Sequence, residues 1–187
     1  MTAKGNDKAL QLVGSFFTFD TFATFDTCDT FLQMANLYQI EKYLKEKKIP
    51  YRVIDLGREI YTVEEVKKSG VEEGEIVKSL IIRANDGFVA LAVCGQDRVD
   101  FKKVRKLFGS KSELARPAEV LKVCHVLVGA VCPILIEVPL YFDRRVMDLK
   151  HINMGSGDLT RGLEMELSDL LAAVGKYHIA DLVIDDS

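Results

Sequence analysis

The chain has 187 residues, 48% hydrophobic and 28% charged, which suits one compact domain with a sizeable core and is cramped for two. Its net charge of −3 excludes a whole-molecule field that draws it to nucleic acid or anionic membranes, so any polyanion contact needs a local basic patch. The cysteines at 28, 94, 124 and 132 make no CxxC pair and no zinc-like spacing with His125, His151 or His178, and no apolar run approaches the ~20 residues of a membrane span. That pattern reads as reduced, mostly buried thiols in a cytoplasmic protein with no metal and no cofactor.

From Phe16 a three-residue Phe/Thr/Asp repeat holds six of the ten phenylalanines and matches neither the helical nor the strand period. The stretch from Leu10 to Phe19 imitates a secretory signal only in outline, because Gln11, Gly14, Ser15 and Thr18 break it. Ordinary globular sequence begins at Met34. The expectation is an atypical, non-native leader over residues 1–33 and a single domain over 34–187.

Within that domain Leu37, Ile40 and Leu44 share one helical face, ended by Ile49-Pro50, and Tyr51 to Leu56 reads as a strand. Thr62-Val63-Glu64-Glu65 is a capping box opening a short helix that Gly70 stops. Ser79 to Ala84 and Phe88 to Cys94 are β-rich runs joined by Asn85-Asp86-Gly87, a hairpin signal. Asp100 caps a helix closed by Gly109, its outer face crowded with Lys102, Lys103, Arg105 and Lys106 and extended by Lys111 and Lys122. Pro117 opens a helix to Val126, followed by a turn from Gly129 to Pro133 and strands over Ile134 to Val138 and around Tyr141 to Asp143. His151 to Met154 and Gly162 to Leu167 read as strands about the Gly155 turn, Ser168 caps a helix to Val174, and Ile179 to Ile184 closes the chain as a strand. About seven strands and five helices result, an α/β fold with a mixed, curled sheet or barrel surrounded by helices.

Lys78 interrupts the apolar run Ile76 to Ile82, so its ammonium must reach water or find an anionic or carbonyl partner. Taken alone, a lysine near a strand end is usually solvated, Gly155-Ser156-Gly157 is an ordinary turn, and a basic helix face is a solvated one. Taken in order, Tyr61-Thr62-Val63-Glu64-Glu65, Ile76-Val77-Lys78-Ser79-Leu80, Gly129-Ala130-Val131-Cys132-Pro133 and Gly155-Ser156-Gly157 resemble the YbaK and prolyl-tRNA synthetase editing-domain family over roughly residues 37 to 184. The resemblance implies a small domain with a central mixed β-barrel that hydrolyses the ester of a mischarged tRNA, several members acting apart from any synthetase. It implies a catalytic Lys78 and a Gly129 loop, where the family often has a second Gly at the position of Ala130, Ser or Thr at that of Cys132, and Thr at that of Ser79.

An aminoacyl ester is already activated, so a site needs a positioned water and oxyanion donors more than a strong nucleophile. Gly129 lets the main chain approach a ligand and expose amides of the Ala130 and Val131 region, while Lys78 holds a phosphate or the ester carbonyl. Tyr61, Thr62, Ser79, Ala130, Val131, Cys132, Gly155 and Ser156 are the expected substrate-binding residues, and Lys102, Lys103, Arg105 and Lys106 the expected RNA contacts. Thr62 already has a sufficient role as a helix cap, and Cys132 is read as pocket lining, not as a nucleophile. The expected partner is a mischarged aminoacyl-tRNA, with tRNA-Pro the carrier by family analogy, and a synthetase as a recruiting partner. A noncatalytic module binding tRNA ends or a synthetase, and a hydrolase of small free esters, are the competing readings.

Overall fold

The computed structural model describes residues 36–85 and 87–185; the expected leader over 1–33 and start at Met34 lie outside them. Helix α1 (Leu37–Lys47) is capped by the Asn36 side chain and buries Ile40 and Leu44, the face its periodicity selects. Strand β1 (Arg52–Asp55) and helix α2 (Val63–Lys68) follow, the latter opened by the Thr62/Glu65 capping box in both directions. Strands β2 (Val77–Ala84) and β3 (Gly87–Cys94) form a hairpin in register from Val77↔Cys94 to Ala84↔Gly87. Helix α3 (Phe101–Phe108), short strand β4 (Glu113–Leu114) and helix α4 (Pro117–Cys124) come next. Strands β5 (Leu140–Asp143), β6 (His151–Gly155) and β7 (Arg161–Glu166), helix α5 (Leu167–Val174) and strand β8 (His178–Ala180) complete the fold.

The strands form two sheets, not a closed barrel. One is antiparallel with order β1-β7-β6; the other is mixed with order β4-β2-β3-β5-β8, in which β3–β5 and β5–β8 are parallel. An isolated parallel bridge, Ile76↔Asn153, joins them. Alternation along the β2–β3 hairpin divides the interior. Val77, Ile81, Ala90, Ala92 and Cys94 face the larger core with Phe142, Ile152 and Leu163, whereas Ile82, Val89, Leu91 and Val93 pack with Val104 of α3.

Three expected elements differ. Ile134 to Val138 is no strand, because Leu135 sits at φ 60° in the left-handed region, and the extended chain begins at Leu140. Its apolar residues imitate a strand because Ile134 is driven fully into the core. Ser168 does not cap α5: the helix starts two residues earlier, at Leu167 after Glu166, and the Leu167 amide donates to Lys150 O at 2.9 Å. The last strand is limited to His178–Ala180, since the Leu182 amide turns away to Asp143 Oδ2 at 2.7 Å.

Asp143 is fully buried and serves two segments, its other oxygen accepting from the Arg145 amide at 2.9 Å. Asp143→Ala should leave both amides without an acceptor and destabilise the domain by about 2–4 kcal/mol. Urea unfolding should register this as a lower midpoint at unchanged m, with Asp143→Asn losing less.

Candidate functional site

Where the two sheets meet, a cavity of about 270 Å³ opens between α2, the start of β2, the loop after α4 and the β6–β7 turn. Of the residues singled out from sequence, Tyr61, Thr62, Lys78, Ser79, Gly129, Val131 and Gly155 line it. The three distant stretches of chain therefore share one cavity.

Lys78 lies on the α3 side of β2, opposite Val93, near the point where β3 ends and its loop departs. Its ammonium is half-buried and donates to Gly95 O at 2.8 Å and Asp97 O at 2.6 Å, so carbonyl dipoles compensate its desolvation. Two of its three donors are used, leaving one for a ligand oxygen. Burial lowers its pKa from the ordinary 10.5, while the nearby charges of Asp97 and Glu64 act in the opposite direction. Asp97 is pinned in turn by Arg145 Nη1 at 3.1 Å, which fixes the loop that fixes the lysine.

The glycine loop is seated by close backbone contacts. Gly129 has φ 97°, and a Cβ there would come within 3.0 Å of Ile60 O and Tyr61 Cα. A Cβ on Gly155 would meet Val131 O at 2.6 Å and Ala130 C at 3.0 Å, so this strand end accepts the loop only because it has no side chain. The Gly157 amide then donates to Ala130 O at 2.8 Å. The Ala130 amide is spent on Leu127 O at 3.0 Å and offers no donor, whereas that of Val131 meets no acceptor among the described residues.

Several expected contacts lie elsewhere. Ala130 and Cys132 are buried behind the cavity wall, and burial pushes the Cys132 thiol up to about 12, which leaves no thiolate at neutral pH. Ser156 is fully buried, and its hydroxyl donates to Arg161 O at 2.7 Å inside the turn. The basic face of α3 does not border the cavity. Lys103 is held by Asp181 Oδ1 at 2.8 Å, Asp185 Oδ2 at 3.0 Å and Val183 O at 2.7 Å, and the Arg105 Nε donates to Ser112 O at 3.3 Å. Lys102 and Lys106 are exposed.

Sequence reasoning missed further cavity residues, Asn153, Asp158 and Gly162 among them. Asn153, 5% exposed, donates from Nδ2 to Glu75 Oε2 at 3.1 Å, and its Oδ1 has no partner among the described residues. A polar residue between Ile152 and Met154 at a mid-strand position was the available signal. Asp158 places one carboxylate at the cavity, with Oδ1 accepting from the Thr160 amide at 2.7 Å and hydroxyl at 2.8 Å. Gly162, on β7, carried no signal beyond being a glycine inside a strand.

A lysine held against carbonyls, a loop amide without an acceptor and apolar walls form an arrangement suited to binding and polarising a carbonyl or phosphoryl group. A proline–tRNA ligase from Thermosipho melanesiensis is 34% identical over 99 residues, covering 51% of this chain and 18% of that enzyme. The Bacillus subtilis protein YwhH is 28% identical over 113 residues, covering 58% of this chain and 72% of that protein. The chain thus spans less than a fifth of the length of the proline–tRNA ligases it matches. Among solved structures, hypothetical protein APE2540 superposes with a TM-score of 0.70 at 30% identity, covering 78% of this chain and 99% of that one. Another, described as "a putative trans-editing enzyme for prolyl tRNA synthetase", gives 0.69 at 25%, covering 80% of this chain and 97% of that one. Residues 58–173, which hold Lys78, the Gly129 loop and the Gly155 turn, match the model of the aminoacyl-tRNA editing domain, and the chain belongs to that family.

Proposed function

We propose that this protein is a trans-acting aminoacyl-tRNA deacylase that discharges a small wrong amino acid from tRNA-Pro in the cytoplasm. The observation that carries the reading is the convergence of Lys78, the Gly129 loop and the Gly155 turn on one cavity. Relatives whose names concern proline and its synthetase support the choice of carrier.

In this reading a water molecule attacks the ester carbonyl carbon and the bond to the ribose oxygen breaks. The water's proton ends on that oxygen, giving free amino acid and tRNA. The developing oxyanion meets the Val131 amide, and the remaining Lys78 donor holds the carbonyl or the terminal phosphate. The Cys132 thiol is no nucleophile, so the substrate's own hydroxyl or amino group orients the water. Gly129 acts through its backbone, and Tyr61, Thr62 and Ser79 contribute walls. Lys102 and Lys106 are the α3 cations left to meet RNA phosphates, with Lys103 and Arg105 held in place beside them.

A second reading, a noncatalytic module binding tRNA ends or a synthetase, is favoured by one observation: the Ala130 amide is already spent, which halves the loop donors expected from sequence.

A panel of alanyl, cysteinyl, seryl and threonyl tRNA-Pro should show discharge of at least one ester, and Lys78→Ala should slow it by about a hundredfold or more. Binding of charged tRNA without turnover anywhere on the panel would instead identify the noncatalytic module. The Lys78 ammonium must be protonated to act, so the catalysed rate, corrected for spontaneous hydrolysis, should fall as pH rises through a midpoint below 10.5. Activity on tRNA should also drop steeply between about 50 and 200 mM salt, whereas a hydrolase of small free esters would show a flat profile.

A further inference from the structure

Three glycines line the cavity, and the fold accounts for two of them. Gly129 needs its positive φ, and Gly155 needs the absence of a side chain beneath Val131 O. Gly162 needs neither. It lies in the middle of an antiparallel sheet, paired with Ile54 on one side and Gly155 on the other, outside the left-handed region. A Cβ built on it finds nothing nearer than Ile54 Cβ at 3.7 Å, Leu56 Cδ2 at 3.8 Å and Met154 O at 3.9 Å, all ordinary contacts. Glycine inside a strand weakens it and packs nothing, and its positional meaning there is a bulge, a bend or close approach of a backbone or a ligand. The in-register pairing on both sides excludes a bulge, and the distances exclude a tight backbone approach, since the nearest backbone atom, Met154 O, stands at 3.9 Å.

The cavity supplies what remains. Register puts Ile54, Gly162, Gly155 and Asn153 on one face of the three-stranded sheet, and all four line the cavity. Gly162 and Gly155 face each other across β6 and β7, so the floor is bare at two adjoining positions, with the aliphatic side chains of Ile54 and Leu56 beside them. The Gly155 position is covered by the loop; the Gly162 position is left as a socket with room for a methyl at ordinary contact distance.

We propose that Gly162 is a specificity-determining residue: the side chain of the esterified amino acid rests on it, and its missing Cβ sets how large that side chain can be. The inference rests on the deacylase reading for the identity of the ligand. An apolar socket separates side chains differing by one methylene by only about 10- to 200-fold, and filling it with a methyl shifts the size limit downward by a comparable factor. Alanine meets no clash in the fold itself.

The test uses the full chain, with two non-hydrolysable adenosines carrying alanine or threonine in amide linkage at the 3′ position, alongside discharge of the matching tRNA esters. Gly162→Ala should melt no lower than wild type, weaken the threonyl analogue by about tenfold or more, and change the alanyl analogue by no more than about twofold. Gly162→Val should extend the loss to the alanyl analogue. Equal changes for both analogues would place the adenosine, and not the amino acid, on the floor and overturn the inference. No change with either, or no binding of either to wild type, would overturn it too. Graded binding without discharge of any ester would leave the inference standing and remove the deacylase reading. Discharge with no grading would do the reverse.

Discussion

The site depends on a contact between two backbones. Val131 O and the Ala130 carbonyl group lie where a side chain on Gly155 would be, and the Gly157 amide closes on Ala130 O at 2.8 Å. This seam ties the loop after α4 to the β6–β7 turn, stretches separated by some twenty-five residues that no regular sheet ladder joins. The same loop is pressed on its other side against Ile60 and Tyr61 through Gly129. Main chain held from both sides has few alternative positions, which is the preorganisation that an oxyanion donor requires.

The second constraint is electrostatic. A strand that delivers a lysine beside Val93 has to solvate it, and water is not the main solvent here. The carbonyls of Gly95 and Asp97 take two donors, and Asp97 is itself held by Arg145. The ammonium is thereby fixed in direction as well as in place. A salt bridge to a carboxylate would have neutralised it, whereas carbonyls stabilise the charge and leave it net positive toward the cavity. The bridge Ile76↔Asn153 sets the distance between this cation and the other sheet, because Asn153 and the residues beside it form the opposite wall.

How far this was legible in the sequence follows from the range of each signal. Caps and turns are local, and Thr62 and Asp100 both act where their spacing places them. Ser168 failed for a nonlocal reason, since the carbonyl of Lys150 across the sheet holds the Leu167 amide and the helix begins there, upstream of the serine. Ile134 to Val138 failed because alternating burial is common to strands and to a buried turn, and only the φ of Leu135 separates them. Convergence of the four motifs on one site was readable only through their order, as a resemblance. The seam at Gly155 and the socket at Gly162 were not readable, because both depend on what lies across the sheet and the sequence shows only that each is a glycine.

The same distinction explains why the two departures from the family pattern inside the Gly129 loop matter less to the cavity than their position suggests. Ala130 and Cys132 fall inside the loop motif, where a change of side chain invites the expectation of a reshaped pocket. Their side chains are buried behind the wall, however, and what the loop presents to the cavity is Val128, Gly129 and Val131. A loop that works through its main chain tolerates changes in the side chains facing the core, provided that core packing holds the backbone against Gly155. In the proposed deacylase, selectivity is then carried by the strand surface, where Ile54, Asn153 and Gly162 lie on paired strands and keep their spacing.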